Sequence, residues 1–218
     1  MPTIANTFSE EGRFENNPLD IFITPLSFAK AALEVLDGFE PELEPYTVLD
    51  PGCGSGVWGK AVKAAYPGVH VTGVDLRYLA MAHDYDEVWL GQDFLTWETK
   101  RKFNLIIGNP PYSSKKDKRL AEHFVRKAQC HLDDYGMMML LLKHDFSGGI
   151  ERATDLFSSY HPLRIFKPAE RIPFMEETHG KKTNTTEYAL YLWKKTDNWN
   201  DTTYHWFSWN QKGGVKFI

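Results

Sequence analysis

Asn109-Pro110-Pro111-Tyr112 follows directly on the apolar run from Phe103 to Ile107. Such a run reads as a buried strand, and two prolines after it end the hydrogen-bond ladder abruptly. The strand then presents an amide and a phenol at its carboxyl edge, where open α/β sheets bind their ligands. These groups suit attack by a poorly nucleophilic amine whose lone pair is delocalised. Two acceptors aimed at the amine hydrogens favour a pyramidal nitrogen with a localised lone pair. The side-chain oxygen of Asn109 supplies one acceptor and the Pro110 carbonyl the other, its direction set by the prolines Pro110 and Pro111. Tyr112 offers a π-face to a planar target, such as a base turned out of its stack. The plain alternative is a strand-ending turn with a surface tyrosine.

A second cluster lies upstream, where Val48 to Gly59 reads VLDPGCGSGVWG. Gly54, Gly56 and Gly59 have the spacing of a dinucleotide-binding turn, and Asp75 closes the next strand. Asp50 ends the preceding strand and Pro51 intervenes, which does not suit a pyrophosphate resting on a helix N-terminus. A carboxylate there repels a pyrophosphate and attracts an ammonium, such as the amino group of a methionine moiety. Further on, Asp93 can accept a hydrogen bond from an adenine amine and Phe94 can stack on the ring. The alternative for that pair is an N-cap aspartate and a core phenylalanine.

DPGCGSG resembles the first cofactor motif of the S-adenosylmethionine-dependent methyltransferases in its amino-methyltransferase form. NPPY resembles the catalytic motif of adenine amino-methyltransferases, which act on DNA, on RNA or, in one branch, on a protein glutamine. The resemblance runs roughly from Asp20 to Lys195. It implies that Asp50, Pro51, Gly52, Cys53 and Gly54 face the methionine portion of S-adenosylmethionine. It also implies that Asp75, followed by Leu76, takes the ribose hydroxyls and that Asp93 and Phe94 hold the adenine. Ile23-Thr24-Pro25 resembles the element that covers the methionine end in DNA adenine methyltransferases whose cofactor motif comes first. Thr24, Pro25 and Asn109 therefore join the cofactor set, and catalysis falls to Asn109, Pro110, Pro111 and Tyr112. The implied reaction is methyl transfer to the N6 amine of adenine in DNA, with RNA or a protein glutamine as the other candidate substrates.

The elements that position these residues alternate along the chain. A helix is expected with Thr24 as its N-cap, Pro25 in the first helical position and Leu26, Ala29, Leu33 and Leu36 on one face before Gly38. Expected strands are Tyr46 to Asp50, Val69 to Asp75, Glu87 to Leu90, Phe103 to Gly108, Met137 to Lys143, Leu163 to Phe166 and Glu187 to Lys194. Helices are expected over Val57 to Tyr66, near Arg77 to His83, over Asp117 to Asp133, and from Asp145 to Tyr160. This alternation makes an α/β fold. The resemblance adds that the sheet is Rossmann-like, seven-stranded and mostly parallel, with helices on both faces. Residues 1–19 read as a polar segment, 20–195 as the methyltransferase domain and 196–218 as an aromatic tail with a hairpin around NQKGG.

The DNA enzymes commonly carry a separate target-recognition domain, and here only a short tail follows the last strand. Specificity then rests on loops, on a second copy of the chain or on a partner. The candidate substrate contacts are Tyr112 with Lys115, Lys116, Lys118 and Arg119, and the segment holding Arg171, Lys181 and Lys182. The protein-glutamine branch usually has a substantial helical N-terminal domain, which the first 20 residues cannot supply. RNA stays open because a turned-out adenine looks the same to the pocket.

Composition sets outer bounds. With 218 residues and 42% hydrophobic content the chain suits one domain with a sizeable core. It has no apolar run long enough to span a membrane and no signal-peptide pattern, so a cytoplasmic protein is expected. The net charge of −4 gives no general basic footprint, which leaves nucleic-acid contact to a local patch. Neither cysteine, Cys53 nor Cys130, follows a proline, which excludes the thiolate attack used in cytosine ring methylation. The histidines show no ligand spacing, so no metal is expected.

Overall fold

Residues 105–107 and 137–142 are unbroken apolar runs, and they lie in neighbouring central strands whose two faces are both covered. The computed structural model describes residues 3–4, 22–78, 84–176, 180–181, 186–195, 201–210 and 214–218. In chain order the first elements are β1 (Thr3–Ile4), α1 (Leu26–Phe39), β2 (Thr47–Pro51), α2 (Val57–Ala65), β3 (His70–Asp75) and β4 (Glu87–Leu90). The centre holds β5 (Phe103–Gly108), α3 (Leu120–His131), β6 (Leu132–Lys143), a 3-10 turn over His144–Ser147, α4 (Ile150–Thr154) and α5 (Leu156–Ser159). The rest comprises β7 (Arg164–Pro168), β8 (Met175–Glu176), β9 (Gly180–Lys181), β10 (Tyr188–Lys194), β11 (Thr203–Trp209) and β12 (Val215–Phe217).

The main sheet has the order β1-β4-β3-β2-β5-β6-β10-β7-β11-β12 among the described residues. That is ten strands, not seven. The run from β1 to β6 is parallel throughout, β10 lies antiparallel between β6 and β7, β11 is parallel to β7, and β12 is antiparallel to β11. The tail joins the sheet because β11 alternates: Phe207 and Trp209 are buried against Phe28 of α1, at centroid distances of 6.4 and 5.0 Å. On the opposite face Tyr191 of β10 packs against Phe146 at 5.6 Å, so side chains from helical segments cover both faces.

Three local expectations shift, each for a visible reason. Pro25 is the N-cap of α1, with φ −60° and ψ 136°, rather than its first helical residue, and Thr24 gives no capping bond. The Thr24 hydroxyl is taken instead by Asn109. The helix expected over 145–160 breaks into a 3-10 turn, α4 and α5: Gly149 at φ 102° separates the turn from α4, and Asp155 at φ −117° and ψ −75° separates α4 from α5. The helix expected from Asp117 begins only at Leu120, since the Asp117 carboxylate turns back to accept from the Arg119 N–H at 2.8 Å. Of the short helix expected near Arg77 to His83, residues 79–83 lie outside the described residues. So do Lys182 and most of the N-terminal segment.

Candidate active site

Three strand ends converge at the carboxyl edge of the sheet. β2 delivers the glycine loop, β3 delivers Asp75, and β5 delivers NPPY. Between them lies a cavity of about 240 Å³. Its walls include Thr24, Gly52, Cys53, Gly54, Asp75, Leu76, Asp93, Phe94, Asn109, Pro110, Pro111 and Tyr112. Pro25, Asp50 and Pro51 lie outside the walls, as do Lys115, Lys116, Lys118, Arg119 and Arg171.

Gly54 adopts φ 53°, a conformation that L side chains rarely take, and this turns its N–H under Asp75. Asp75 Oδ2 accepts from that N–H at 2.8 Å, while Oδ1 accepts from the Arg77 backbone N–H at 2.8 Å and from its Nε at 3.1 Å. The third glycine of the dinucleotide-like spacing serves another purpose. A Cβ on Gly59 would stand 2.5 Å from the Tyr85 ring, and the Gly59 N–H donates to the Tyr85 hydroxyl at 3.2 Å. Cys53 is buried beside this ring, and burial pushes its thiol well up, which leaves it a packing residue.

Asp50 sits behind the glycine loop, 1% exposed. Its partner is the buried Tyr85 hydroxyl, which donates to Oδ2 at 2.7 Å. Its Oδ1 has no hydrogen-bond partner among the described residues and faces Gly108, where a Cβ would stand 2.6 Å away. Burial raises the Asp50 carboxyl to about 7; the Tyr85 hydrogen bond opposes this and the Asp75 charge adds to it. Asp50 thus stands behind the cavity wall, tied to Tyr85, and is not itself among the lining residues.

This gives a first expected result. A carboxyl raised from 3.8 to about 7 keeps a proton that the unfolded chain loses. Its contribution to stability is full below the ordinary value and is lost as pH rises through the folded one. Asp50→Asn removes that titration. The fall in stability expected of the parent between pH 4 and 7, on the order of 3–4 kcal/mol, should flatten in thermal melts. Parallel pH profiles for the two proteins would assign the slope to other groups.

The NPPY end is held by hydrogen bonds that orient the Asn109 amide unambiguously. Its Nδ2 donates to the Phe22 carbonyl and to the Thr24 hydroxyl, both at 3.1 Å, and its Oδ1 accepts from the Tyr112 hydroxyl. A carbonyl can only accept, so the amide cannot be flipped. The Pro110 carbonyl accepts no hydrogen bond from a described residue. Tyr112 is 5% exposed, not the surface π-face of the sequence expectation. Phe22 stacks on it at 6.3 Å and 29°, Tyr188 packs at 5.4 Å, and Lys143 Nζ lies 5.7 Å from its centroid.

Asp93 and Phe94 make the turn and packing contacts of the plain alternative and also line the cavity. Asp93 Oδ1 accepts from the Leu95 N–H at 2.9 Å, a turn cap, and Oδ2 has no partner among the described residues. Phe94 packs on Phe124 at 5.1 Å while lining the cavity. Among the basic candidates Lys115, Lys116 and Lys118 are exposed and make no hydrogen bond or ion pair with the described residues. Arg119 differs, because its guanidinium is held by the buried Glu122 at 2.7 Å and by Glu151 at 3.0 Å. Arg171 is exposed and lies away from the cavity walls.

Residues 30–161 match the family model for the methyltransferase small domain. The chain belongs to this family. Its cofactor is S-adenosylmethionine. Among relatives of this methyltransferase small domain is the type II methyltransferase M.CvrRI of Paramecium bursaria Chlorella virus XZ-6E, 36% identical over 96 residues, or 42% of this chain and 24% of that one. A tRNA1(Val) (adenine(37)-N6)-methyltransferase from Vibrio cholerae is 33% identical over 99 residues, 41% of this chain and 40% of that one. The chain thus spans less than half the length of these curated relatives. A structure from Listeria monocytogenes, solved as a candidate class I S-adenosylmethionine-dependent methyltransferase, superposes with a TM-score of 0.63 at 17% identity, covering 84% of this chain and 65% of that one. A candidate RNA methyltransferase from Pyrococcus horikoshii gives 0.61 at 19% identity, covering 84% and 92%. At such identities the likeness is one of fold.

In this methyltransferase small domain the sequence reading missed three residues that shape the site. Phe22 covers Tyr112, Arg77 clamps Asp75 and Tyr85 supports Asp50. Arg77 stands two positions after Asp75, a spacing that signals a local clamp. Tyr85 and Phe22 carry no comparable local signal, since their roles come from contacts across the sheet.

Proposed function

We propose that this chain transfers a methyl group from S-adenosylmethionine to the exocyclic N6 amine of adenine in DNA. The observation that carries the reading is the fixed orientation of Asn109, whose Oδ1 is turned towards Tyr112 in the cavity beside the Pro110 carbonyl, which has no partner among the described residues. The cavity suits the cofactor in its acceptors and its apolar walls. Asp75 Oδ2 keeps a lone pair for a ribose hydroxyl, and a second hydroxyl is accepted when the Arg77 side chain yields Oδ1. Asp93 Oδ2 and Phe94 suit an adenine edge and face. Once bound, the cofactor supplies a methyl carbon made electrophilic by its sulfonium.

The chain's own residues then act on the amine. Asn109 Oδ1 has two lone pairs, so it accepts an amine hydrogen while keeping the Tyr112 bond. The Pro110 carbonyl accepts the other hydrogen. Both are preorganised, because Phe22 and Thr24 hold the amide from one side and β5 holds it from the other. The target base displaces Phe22 from the Tyr112 ring, an exchange of one aromatic contact for another. Lys115, Lys116 and Lys118, close in sequence to Ser114 of the cavity wall, supply a local cationic patch for phosphates.

RNA is the second reading, favoured by the relative named for adenine-N6 methylation of a tRNA. Incubation with methyl-labelled cofactor and, separately, duplex DNA, tRNA and bulk protein distinguishes the cases. Label should elute with N6-methyldeoxyadenosine after digestion of the DNA. Label in N6-methyladenosine alone would move the assignment to RNA, and label in glutamine alone would sink the nucleic-acid reading.

A further inference from the structure

The half-buried lysines of the described residues have their charges matched, with one exception. Lys63 pairs with Asp86 at 2.6 Å, Lys127 with Glu98 at 2.5 Å, Lys167 with Glu187 at 3.5 Å, Lys194 with Glu40 at 3.2 Å and Lys195 with Asp134 at 3.0 Å. Lys143 is half-buried too, yet its ammonium makes no hydrogen bond or ion pair with the described residues. What it meets is the ring of Tyr112, whose centroid lies 5.7 Å away. Taking a cation partly out of water without a counter-charge is costly, and a ring face offsets only part of that cost. An anion bound there would complete the pairing that the other half-buried lysines already have.

The place of Lys143 in the fold says which anion. It ends β6 at the carboxyl edge of the sheet, and its cross-strand partner is Tyr188, so the two side chains share a face. Tyr188 in turn packs on Tyr112 at 5.4 Å. The exposed rings of Tyr204 and Trp206 on β11 lie on the opposite face by the β6-β10-β7-β11 register and take no part. Along the sheet the order is β4-β3-β2-β5-β6. The groups offered to the cofactor, Asp93, Asp75 and the glycine loop, stand at the ends of β4, β3 and β2, and Asn109 follows β5. A substrate that presents its amine at Asn109 without overlapping the cofactor therefore extends towards β6, where Lys143 stands.

We propose that Lys143 binds one of the backbone phosphates flanking the target nucleotide and so positions the base against Tyr112. The proposal rests on the nucleic-acid reading above. A glutamine side chain brings no anion of its own, whereas each nucleotide of a strand carries a phosphate tethered close to its base. The flexible stem lets the ammonium leave the ring and meet a phosphate oxygen, which a compact point charge suits. Lys143 is thus a positioning residue, set apart from the exposed loop lysines Lys115, Lys116 and Lys118 by its half-buried place beside the NPPY ring.

The test is equilibrium binding of a short, fluorescently labelled single strand with one central adenine to the full chain, with methyl transfer measured separately. Lys143→Gln is expected to weaken binding about tenfold, as for a lost hydrogen bond between charged groups. The slope of log affinity against log salt should become shallower by about 0.7, the share of one phosphate contact on a single strand. The cost should fall on KM, with kcat and cofactor affinity within a few-fold of the parent, and Lys143→Arg should recover most of it. Replacing the phosphates on either side of the adenine in turn by uncharged methylphosphonates should weaken the parent at one position and leave Lys143→Gln no weaker there. Support of the Tyr112 ring alone would lower kcat and would respond neither to salt nor to the altered linkage. Unchanged affinity in Lys143→Gln, or a loss with an unchanged salt slope, overturns the proposal. So does a parent that binds both methylphosphonate strands as tightly as the natural one, a result that needs no variant. If binding behaves as expected but the parent methylates no nucleic acid, the functional reading fails and the phosphate contact stands.

Discussion

Asn109→Ala is expected to lower kcat by about 10²–10³-fold or more while leaving cofactor affinity within a few-fold of the parent. The variant removes one of the two acceptors proposed for the amine hydrogens and leaves the Pro110 carbonyl alone. A single acceptor cannot hold both hydrogens away from the plane, so the lone pair stays delocalised and the barrier rises. The side chain also ties the Phe22 carbonyl and the Thr24 hydroxyl to the strand end, each at 3.1 Å. Some loosening of that entry segment is therefore expected as a modest rise in KM. Asn109→Asp separates the two effects, since it keeps an acceptor but loses both donations to Phe22 and Thr24. Single-turnover rates with isothermal titration of the cofactor read these outcomes. If cofactor binding collapses with Asn109→Ala, the residue belongs to the cofactor pocket and not to the amine.

Asp75→Ala should show the complementary pattern, a loss of about 10- to 100-fold in cofactor affinity, as expected for hydrogen bonds to a charged group. Two effects contribute. The carboxylate is the acceptor proposed for the ribose hydroxyls, and it also holds the Gly54 N–H at 2.8 Å, which fixes the positive-φ turn of the loop. Its loss also removes the oxygen to which the Arg77 Nε donates at 3.1 Å. Asp75→Asn keeps an oxygen for Gly54 and should fall between parent and alanine variant. At saturating cofactor the rate of methyl transfer should return towards the parent value, because Asp75 does not face the amine. Cofactor affinity retained in Asp75→Ala but lost in Asn109→Ala would reverse the division of labour proposed here.

Much of the scaffold was legible from local pattern. The runs at 105–107 and 137–142 are apolar on both faces, and a pattern of that kind reports burial directly. Boundaries moved where side chains were recruited elsewhere. Thr24 reads as a helix cap by type, yet its hydroxyl serves Asn109 across 85 positions of sequence. The strand number was under-read because an isolated aromatic tail looks like an appendage. Its parallel ladder with β7 makes β11 part of the sheet, and Phe207 and Trp209 then pack on Phe28. The basic loop read as one patch, but Arg119 is drawn inward to a buried carboxylate that lies three positions along its helix.

By itself the sequence determined the α/β alternation, the sharp stop after β5 and the set of acids and glycines that could serve a nucleoside-bearing cofactor. These depend on residue type and short spacing, which act through local sterics and burial. Tertiary structure decided what each group faces. It put Asp50 behind the loop with a raised carboxyl, filled the Gly59 slot with Tyr85, turned the Tyr112 hydroxyl onto Asn109 and placed Phe22 over the ring. It also left Tyr204 and Trp206 outside while burying their neighbours. Those outcomes follow from contacts between strands far apart in the chain. Hydrogen-bond direction and exposure are properties of the packed neighbourhood, and no local pattern encodes them.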